Sequence, residues 1–385
     1  MKKFQQILSY ILVAALASTI TLFTADTVWS RKKVSKLDQL SNLIEERFIG
    51  ESDRTAYEDA AADAMVKALG DEWSYYIPAS QLQSHQEDSN NAYVGIGITI
   101  TVRPEGDGFS VTKVNAGGPA EAAGMLPGDV IVEIEGQSAA GMTADDARNL
   151  VRGKPDTQVQ LKVRRDSETI ALSVTRKEVL TPVATGKMLD GNIGLITIVN
   201  FDARCFDESK AAIDALLKDG AVALIFDVRN NPGGYKDEMV KLLDYLLPEG
   251  PLFRSEDYRG KVLVDESNSS CLDIPMAVLV NGYSYSAAEF FAAALMEYDA
   301  ATVVGQKTYG KGYFQTTIYL NDGSAVGLSI GKYTTPEGKN LAGVGITPDI
   351  VVEVDDETDL AIYAGTLEPE NDPQIQAAVK ALKAN

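Results

Sequence analysis

The sequence predicts an α/β protein that carries an inserted β-rich domain and is preceded by a helical segment. Three observations lead there. Between Gly191 and Leu247, near-continuous apolar runs (IGLITIVNF, AVALIFDVR) alternate with amphipathic stretches (DESKAAIDALLKDG, YKDEMVKLLDYLL). That is the pattern of a partly parallel sheet whose faces are covered by helices. From about Ala92 to Val179 the chain instead shows short alternating runs, VGIGITI, GFSVTKV, DVIVEIEG, QVQLKVRR and TIALSVTR, with one helix-like stretch, TADDARNLVR. From Val34 to Leu69 apolar residues recur at helical spacing (Leu37, Leu40, Leu43, Ile44, Phe48, then Ala60, Ala64, Met65, Leu69), which predicts two helices joined near Gly50 to Ser52.

Residues 7–25 carry no charge, follow Lys2 and Lys3, precede Trp29, and are long enough to span a bilayer once. A cleaved signal peptide competes, with ALA at 15–17 as the small-residue site, but the apolar run continues past it, so an uncleaved anchor is preferred. The resulting organisation is 1–33 anchor or signal, 34–90 helical segment, 91–179 β-rich domain and 180–385 α/β core with the C-terminal segment. GDEWSYYIPASQL breaks the helical pattern, and QEDSNN reads as an exposed link.

Composition narrows the chemistry. Forty-five per cent hydrophobic and 23% charged residues are ordinary for a globular chain, and a formal charge of -20 lacks the cationic footprint of a nucleic-acid binder. Cys205 and Cys271 are too few for a disulfide framework or thiolate cluster; they read as apolar fillers, with a single disulfide left open. The only histidine, His85, sits in the polar run SQLQSHQEDSNN, which argues against a Ser-His-Asp triad or a histidine metal site. No metal or organic cofactor is expected.

The most informative stretch runs from Ile274 to Gln315. MAVLV is strand-like, NGYSYS turns, and AAEFFAAALMEY has the spacing of a buried helix, so Ser286 sits where a strand hands over to a helix. Ser286 and Glu289 form a capping box on one reading. On the other, Ser286 is a nucleophile at a helix N-terminus, where free amides and the helix dipole favour developing negative charge. With histidine effectively absent, the base candidates are lysine, carboxylate and tyrosine, and burial can bring a lysine towards neutrality. Lys311 lies in TYGKGYFQ between Gly310 and Gly312, and Gln315 follows within reach of its amine; the plain alternative is a surface loop lysine. Asn230-Asn231-Pro232-Gly233-Gly234 follows ALIFDVR and is either a simple turn or a turn that aims backbone amides into a site at the carboxyl end of the sheet. Similarly, Tyr93-Val94-Gly95-Ile96-Gly97-Ile98 is either a turn before an edge strand or a set of amides that holds a carboxylate beside an edge able to pair with a peptide.

YVGIGI, VNAGGPAEAAGMLPGDVIVEIEG and VRGKPDTQVQLKVRR resemble a bacterial PDZ domain over its whole length. The resemblance implies capture of protein C-termini, with Tyr93, Gly95, Ile96, Gly97 and Ile98 on the peptide site; Arg152 could instead face the rest of the enzyme as a gate. With ALGDEWSYYIP, LIFDVRNNPGG, AVLVNGYSYSAAEFFAAAL, VVGQKTYGKGYFQ and GKYTTPEGKNLAGVGITPDIVV, the chain from about Leu40 to its end resembles the C-terminal processing proteases, S41 serine peptidases with a ClpP/crotonase-like α/β core. The resemblance implies Ser286 as nucleophile, Lys311 as general base and Gln315 as the residue that orients it. It implies an oxyanion hole from the amides of Ala287 and Gly234, with Gly233 the alternative.

Where the family usually has a small residue before the nucleophile, this chain has Tyr285, with Tyr283 two positions earlier. Tyr285 narrows a subsite, shields Lys311 or blocks the site; blocking would leave a PDZ scaffold that binds C-terminal peptides without cutting them. A crotonase-type acyl-CoA enzyme shares the paired-amide device but explains neither the PDZ-like insertion nor the serine and lysine. The expected protein is therefore an endopeptidase on the extracytoplasmic face of a bacterial membrane, or secreted if the N-terminus is cleaved, acting on exposed protein C-termini. The 34–69 helices and the tail DPQIQAAVKALKAN could serve self-association or pack on their own domains.

Overall fold

A computed structural model describes residues 35–268 and 270–384. The apolar 7–25 segment lies outside the described residues; among the described residues no helix is long and apolar enough to cross a membrane. The segment ending at Ala68 contains the two expected helices, Lys36–Arg47 and Arg54–Lys67. Ser35 and Asp38 cap the first reciprocally, Asp53 caps the second, and Arg54 reaches back to Glu45 at 2.8 Å. Neither helix buries a side chain, and Leu37, Leu40 and Leu43 are exposed.

In the unit that begins at Leu69, the alternating runs form a small β domain. Its sheet runs Ile98–Val102, Phe109–Val114, Val130–Ile134, Gln158–Arg165, Glu168–Thr175, all antiparallel, with Gln137–Ser138 paired to the third strand. Phe109, Ile131, Ile134, Leu161 and Ala147 of the Ala144–Val151 helix close its core. Ile98–Val102 is an edge strand, and a groove of about 290 Å³ lies between it and that helix.

The α/β core is a six-stranded sheet in the order Ala184–Leu189, Ile193–Ile198, Ala223–Asp227, Met276–Val280, Ala301–Gly305, Ile350–Val351. The first pair is antiparallel and the others parallel. Side-chain alternation divides each strand between two cores. Leu224, Phe226, Val278 and Val280 join the helices Cys205–Lys218, Lys236–Leu246 and Ala287–Glu297. Ile225, Ala277 and Leu279 face the other way, onto Ile375, Ala378 and Leu382 of Pro373–Ala384. The C-terminal tail thus packs on its own sheet.

A second, five-stranded antiparallel sheet was not foreseen from the sequence. Ala325–Thr334 pairs with Tyr75–Ile77, Tyr313–Tyr319 and Gly250–Asp257, and Val262–Ser267 extends the sheet beyond the last of these. This sheet carries GDEWSYYIP to the same place as the lysine loop.

Two local expectations need correction. The polar link contains a helix, Leu82–Ser89, because LQSHQEDS has no glycine or proline to break it. The cysteines form no disulfide: Cys205 is buried in a helix whereas Cys271 is exposed, so only the first is an apolar filler.

At the end of the Ala223–Asp227 strand, buried Arg229 pairs with Asp227 at 2.6 Å and Asp372 at 2.8 Å and donates to Gln374 at 2.9 Å. This fastens the start of the last helix to the strand that feeds the Asn-Asn-Pro-Gly-Gly turn. Removing one partner strands the other charges in a low-dielectric interior. Arg229→Met is expected to cost about 3–5 kcal/mol, read from urea denaturation.

Candidate active site

The Met276–Val280 strand is buried along its whole length and runs into a turn closed by its own polar side chains. Ser284 Oγ accepts the Asn281 amide at 3.1 Å and donates to the Val228 carbonyl at 2.7 Å. Asn281 and Asn230 exchange hydrogen bonds, each 2.9 Å, which couples this turn to the end of the neighbouring strand. Ser286 then takes φ 59° and ψ -127°, a costly backbone for a residue with a Cβ, at the N-cap of Ala287–Glu297.

The Asn-Asn-Pro-Gly-Gly turn presses against it. A Cβ on Gly233 would lie 2.7 Å from Ser286 Cβ and 2.9 Å from the Ala287 amide nitrogen, so only glycine fits. The Gly233 amide is already donated to Asn231 Oδ1 at 2.8 Å. By contrast, the amides of Gly234 and Ala287 donate to no acceptor among the described residues.

Glu289 joins the serine to the lysine loop. It is fully buried, and its two carboxylate oxygens accept four hydrogen bonds. Oε2 takes the amides of Ser286 at 3.1 Å and Lys311 at 2.9 Å, while Oε1 takes the Gly310 amide at 2.7 Å and the Thr308 hydroxyl at 2.6 Å. Burial holds its carboxyl above the usual range, and these donors offset that shift only in part. The flanking glycines are needed for close packing: a Cβ on Gly312 would meet the Ala342 amide nitrogen at 2.6 Å, and one on Gly310 that of Gly345 at 2.9 Å.

The side chains of Ser286 and Lys311 face different partners. Ser286 Oγ lies 3.1 Å from the Tyr333 hydroxyl. Lys311 Nζ sits 4.3 Å from the Trp73 ring centroid and 5.9 Å from that of Tyr285; Tyr309 packs edge-on to Trp73. Among the described residues, no hydrogen bond joins Ser286 to the Lys311 amine. Burial lowers the Lys311 amine to about 8 against the opposing pull of Asp71, Glu289 and Glu72. The Tyr285 ring thus lies beside the lysine amine, whereas Tyr283 is exposed.

Among the described residues, no hydrogen bond joins Gln315 to the Lys311 amine. It pairs across the sheet with Ser329 and donates to that hydroxyl at 2.9 Å. Ser329 in turn donates its amide to Ser74 Oγ, whose hydroxyl is bonded to Asp71. His85 packs on Tyr75. In the β domain Tyr93, Gly95, Ile96, Gly97 and Ile98 all line the groove, and the Ile96 and Gly97 amides donate to no acceptor among the described residues. Arg152 also lines it, with its guanidinium 5.3 Å from the Tyr93 ring centroid.

Sequence reasoning missed Trp73, Tyr333 and the bridging role of Glu289. The first two lie inside motifs singled out above, GDEWSYYIP and GKYTTPEGKN, and those motifs were the available signal.

Residues 192–352 match peptidase family S41 and residues 110–165 a PDZ domain. A protein described as a probable CtpA-like serine protease from Staphylococcus aureus strain COL is 33% identical over 340 residues, covering 87% of this chain and 68% of its own. The chain belongs to peptidase family S41. A relative of the same description from Staphylococcus haemolyticus is 32% identical over 323 residues, 83% of this S41 chain and 64% of its own. A Bacteroides fragilis structure assigned to the S41 proteases shares the fold at 18% identity, with a TM-score of 0.54 over 84% of this chain and 90% of that one. The chain is thus a PDZ-bearing member of a serine protease family, and its substrates are peptides or proteins.

Glu289→Ala leaves four donors buried without their acceptor. It is expected to lower stability by at least about 2 kcal/mol and to abolish peptidase activity, checked by thermal unfolding and by turnover in the folded fraction.

Proposed function

We propose that this S41 peptidase is an endopeptidase that cuts protein chains near or from their C-termini with Ser286 as nucleophile and Lys311 as general base. The observation that carries the reading is the shared Glu289 carboxylate oxygen, which holds the Ser286 and Lys311 amides on one acceptor. A buried lysine with its amine near 8 is a competent base close to neutral pH. Lys311 swings from Trp73 to the Ser286 hydroxyl and takes its proton as Oγ attacks the scissile carbonyl. The Ala287 and Gly234 amides receive the oxyanion; Gly233 is the poorer donor because Asn231 already occupies it. Collapse returns the proton to the leaving amine, and water hydrolyses the acyl-enzyme. The chemistry requires no metal or organic cofactor.

Gln315 acts at one remove, through Ser329 and the group around Asp71, whose charge faces the lysine. The PDZ groove receives the substrate's C-terminal residues as an added strand on Ile98–Val102, its carboxylate on the Ile96 and Gly97 amides. Arg152 acts as a gate that responds to occupancy, a role supported by its contact with Tyr93 at the groove. We assign 1–33 to a membrane anchor, or a signal segment if it is cleaved, that places the rest of the chain outside the cytoplasm, 34–90 to the helical segment, 91–179 to the PDZ domain and 180–385 to the protease core; the 34–69 helices are the candidate for self-association.

Ser286→Ala and Lys311→Ala are each expected to abolish cleavage of an apolar-tailed peptide while far-UV circular dichroism is unchanged. Wild-type enzyme should be labelled at Ser286 by a fluorophosphonate; the non-cutting scaffold would bind peptide without turnover or label.

Lys311 works as a base only when neutral, so the rate should rise with pH through about 8 and then level. A profile that stays flat from about pH 6 to about pH 10, with chemistry rate-limiting, counts against the assignment. Trp73→Ala admits water to the amine and should move that midpoint upward, towards the ordinary value of 10.5.

A further inference from the structure

We propose that Tyr333 is a further catalytic residue, whose phenol hydroxyl donates to Ser286 Oγ and steadies the alkoxide as the proton departs. This rests on the reading of Ser286 as nucleophile. The two hydroxyls lie 3.1 Å apart, both residues are buried, and Ser286 Oγ is the only hydrogen-bond partner of the phenol among the described residues. If Ser286 donated to the phenol, the phenol proton would be left without an acceptor. If the phenol donates, both its proton and one serine lone pair are satisfied, and the serine proton is left free to go to a base. The second arrangement is also the one the reaction needs.

The phenol cannot swing away from the serine. Its ring stacks on Phe314 at 23° and 5.5 Å, and meets Phe290 at 4.8 Å and Phe253 at 5.2 Å. Phe290 belongs to the helix that Ser286 caps. The Tyr333 amide donates to the Gly312 carbonyl at 3.1 Å, next to Lys311, and Asn340 donates to the Tyr333 carbonyl at 2.9 Å. Backbone and ring are therefore tied to both halves of the site.

Burial, with the charge of Glu289 adding to it, pushes the phenol up to about 12, so it keeps its proton throughout. It is a donor and not a base. In the step itself the Ser286 O–H bond breaks, its proton goes to Lys311 Nζ, and the Oγ pair forms the bond to the carbonyl carbon. The carbonyl π pair moves to oxygen and is met by the two backbone amides. The Tyr333 hydrogen bond shortens as charge gathers on Oγ and is otherwise unchanged.

Tyr333→Phe keeps the ring packing and removes only the hydroxyl. In the full-length enzyme it should lower kcat on an apolar-tailed peptide by about 10- to 100-fold with KM and the pH midpoint unmoved, and slow fluorophosphonate labelling of Ser286 in parallel. A purely structural role would lower the thermal midpoint without this kcat and labelling signature. Where Tyr333→Phe fails to fold, 3-fluorotyrosine at position 333, a more acidic donor, should raise the labelling rate. Unchanged or faster turnover in a folded Tyr333→Phe enzyme, with the wild type labelled at Ser286, overturns the role of the phenol alone, as does a fluorotyrosine enzyme labelled no faster. Absence of label at Ser286 in the wild type overturns the nucleophile reading and this proposal together.

Discussion

A single buried carboxylate holds the candidate site together. Glu289 projects from the first turn of the Ala287–Glu297 helix into the buried interior, where an unpaired charge would be prohibitive. Its four acceptor positions are filled by one amide from the nucleophile turn and three donors from the lysine loop. The demand for satisfaction runs both ways, because those backbone amides are buried as well. Neither loop can move independently without breaking bonds on the other, which fixes the distance between their backbones.

Two sheets make this meeting possible. The parallel sheet delivers the ends of Ala223–Asp227 and Met276–Val280 side by side, where Gly233 packs on Ser286 with no room for a side chain. The antiparallel sheet brings Tyr333 and the lysine loop to the other side, since Tyr313 and Lys332 are register partners. Aromatic rings fill the seam: Tyr333 with Phe253, Phe290 and Phe314, and Trp73 with Tyr285 and Tyr309. The amine rests on an indole face, a favourable site for a cation, even as desolvation weakens its hold on the proton.

The local reading succeeded where a short stretch carries its own periodicity. The strand, turn and helix around Ser286 and the glycines about Lys311 could be placed because their signals span fewer than a dozen neighbours. Gln315 shows the limit. A bulge between Phe314 and Gln315 resets the pairing, so the Gln315 amide lies opposite Ser329 and donates to its hydroxyl, a partner that sequence spacing does not give. His85 and its neighbours went the same way, since a polar run without breakers folds as a helix when its surroundings allow.

By itself the sequence determined the α/β core, the β-rich insertion, the family, and a serine and lysine on loops that could meet. Hydrophobic period, glycine placement and ordered motifs are properties of the chain, and they survive without coordinates. Only the tertiary structure decided what each of those side chains touches. Trp73 reaches Lys311 across more than two hundred residues of chain, and Tyr333 reaches Ser286 through the pairing of strands far apart in sequence. Such contacts depend on strand register and sheet stacking, which are set by the burial of the whole core.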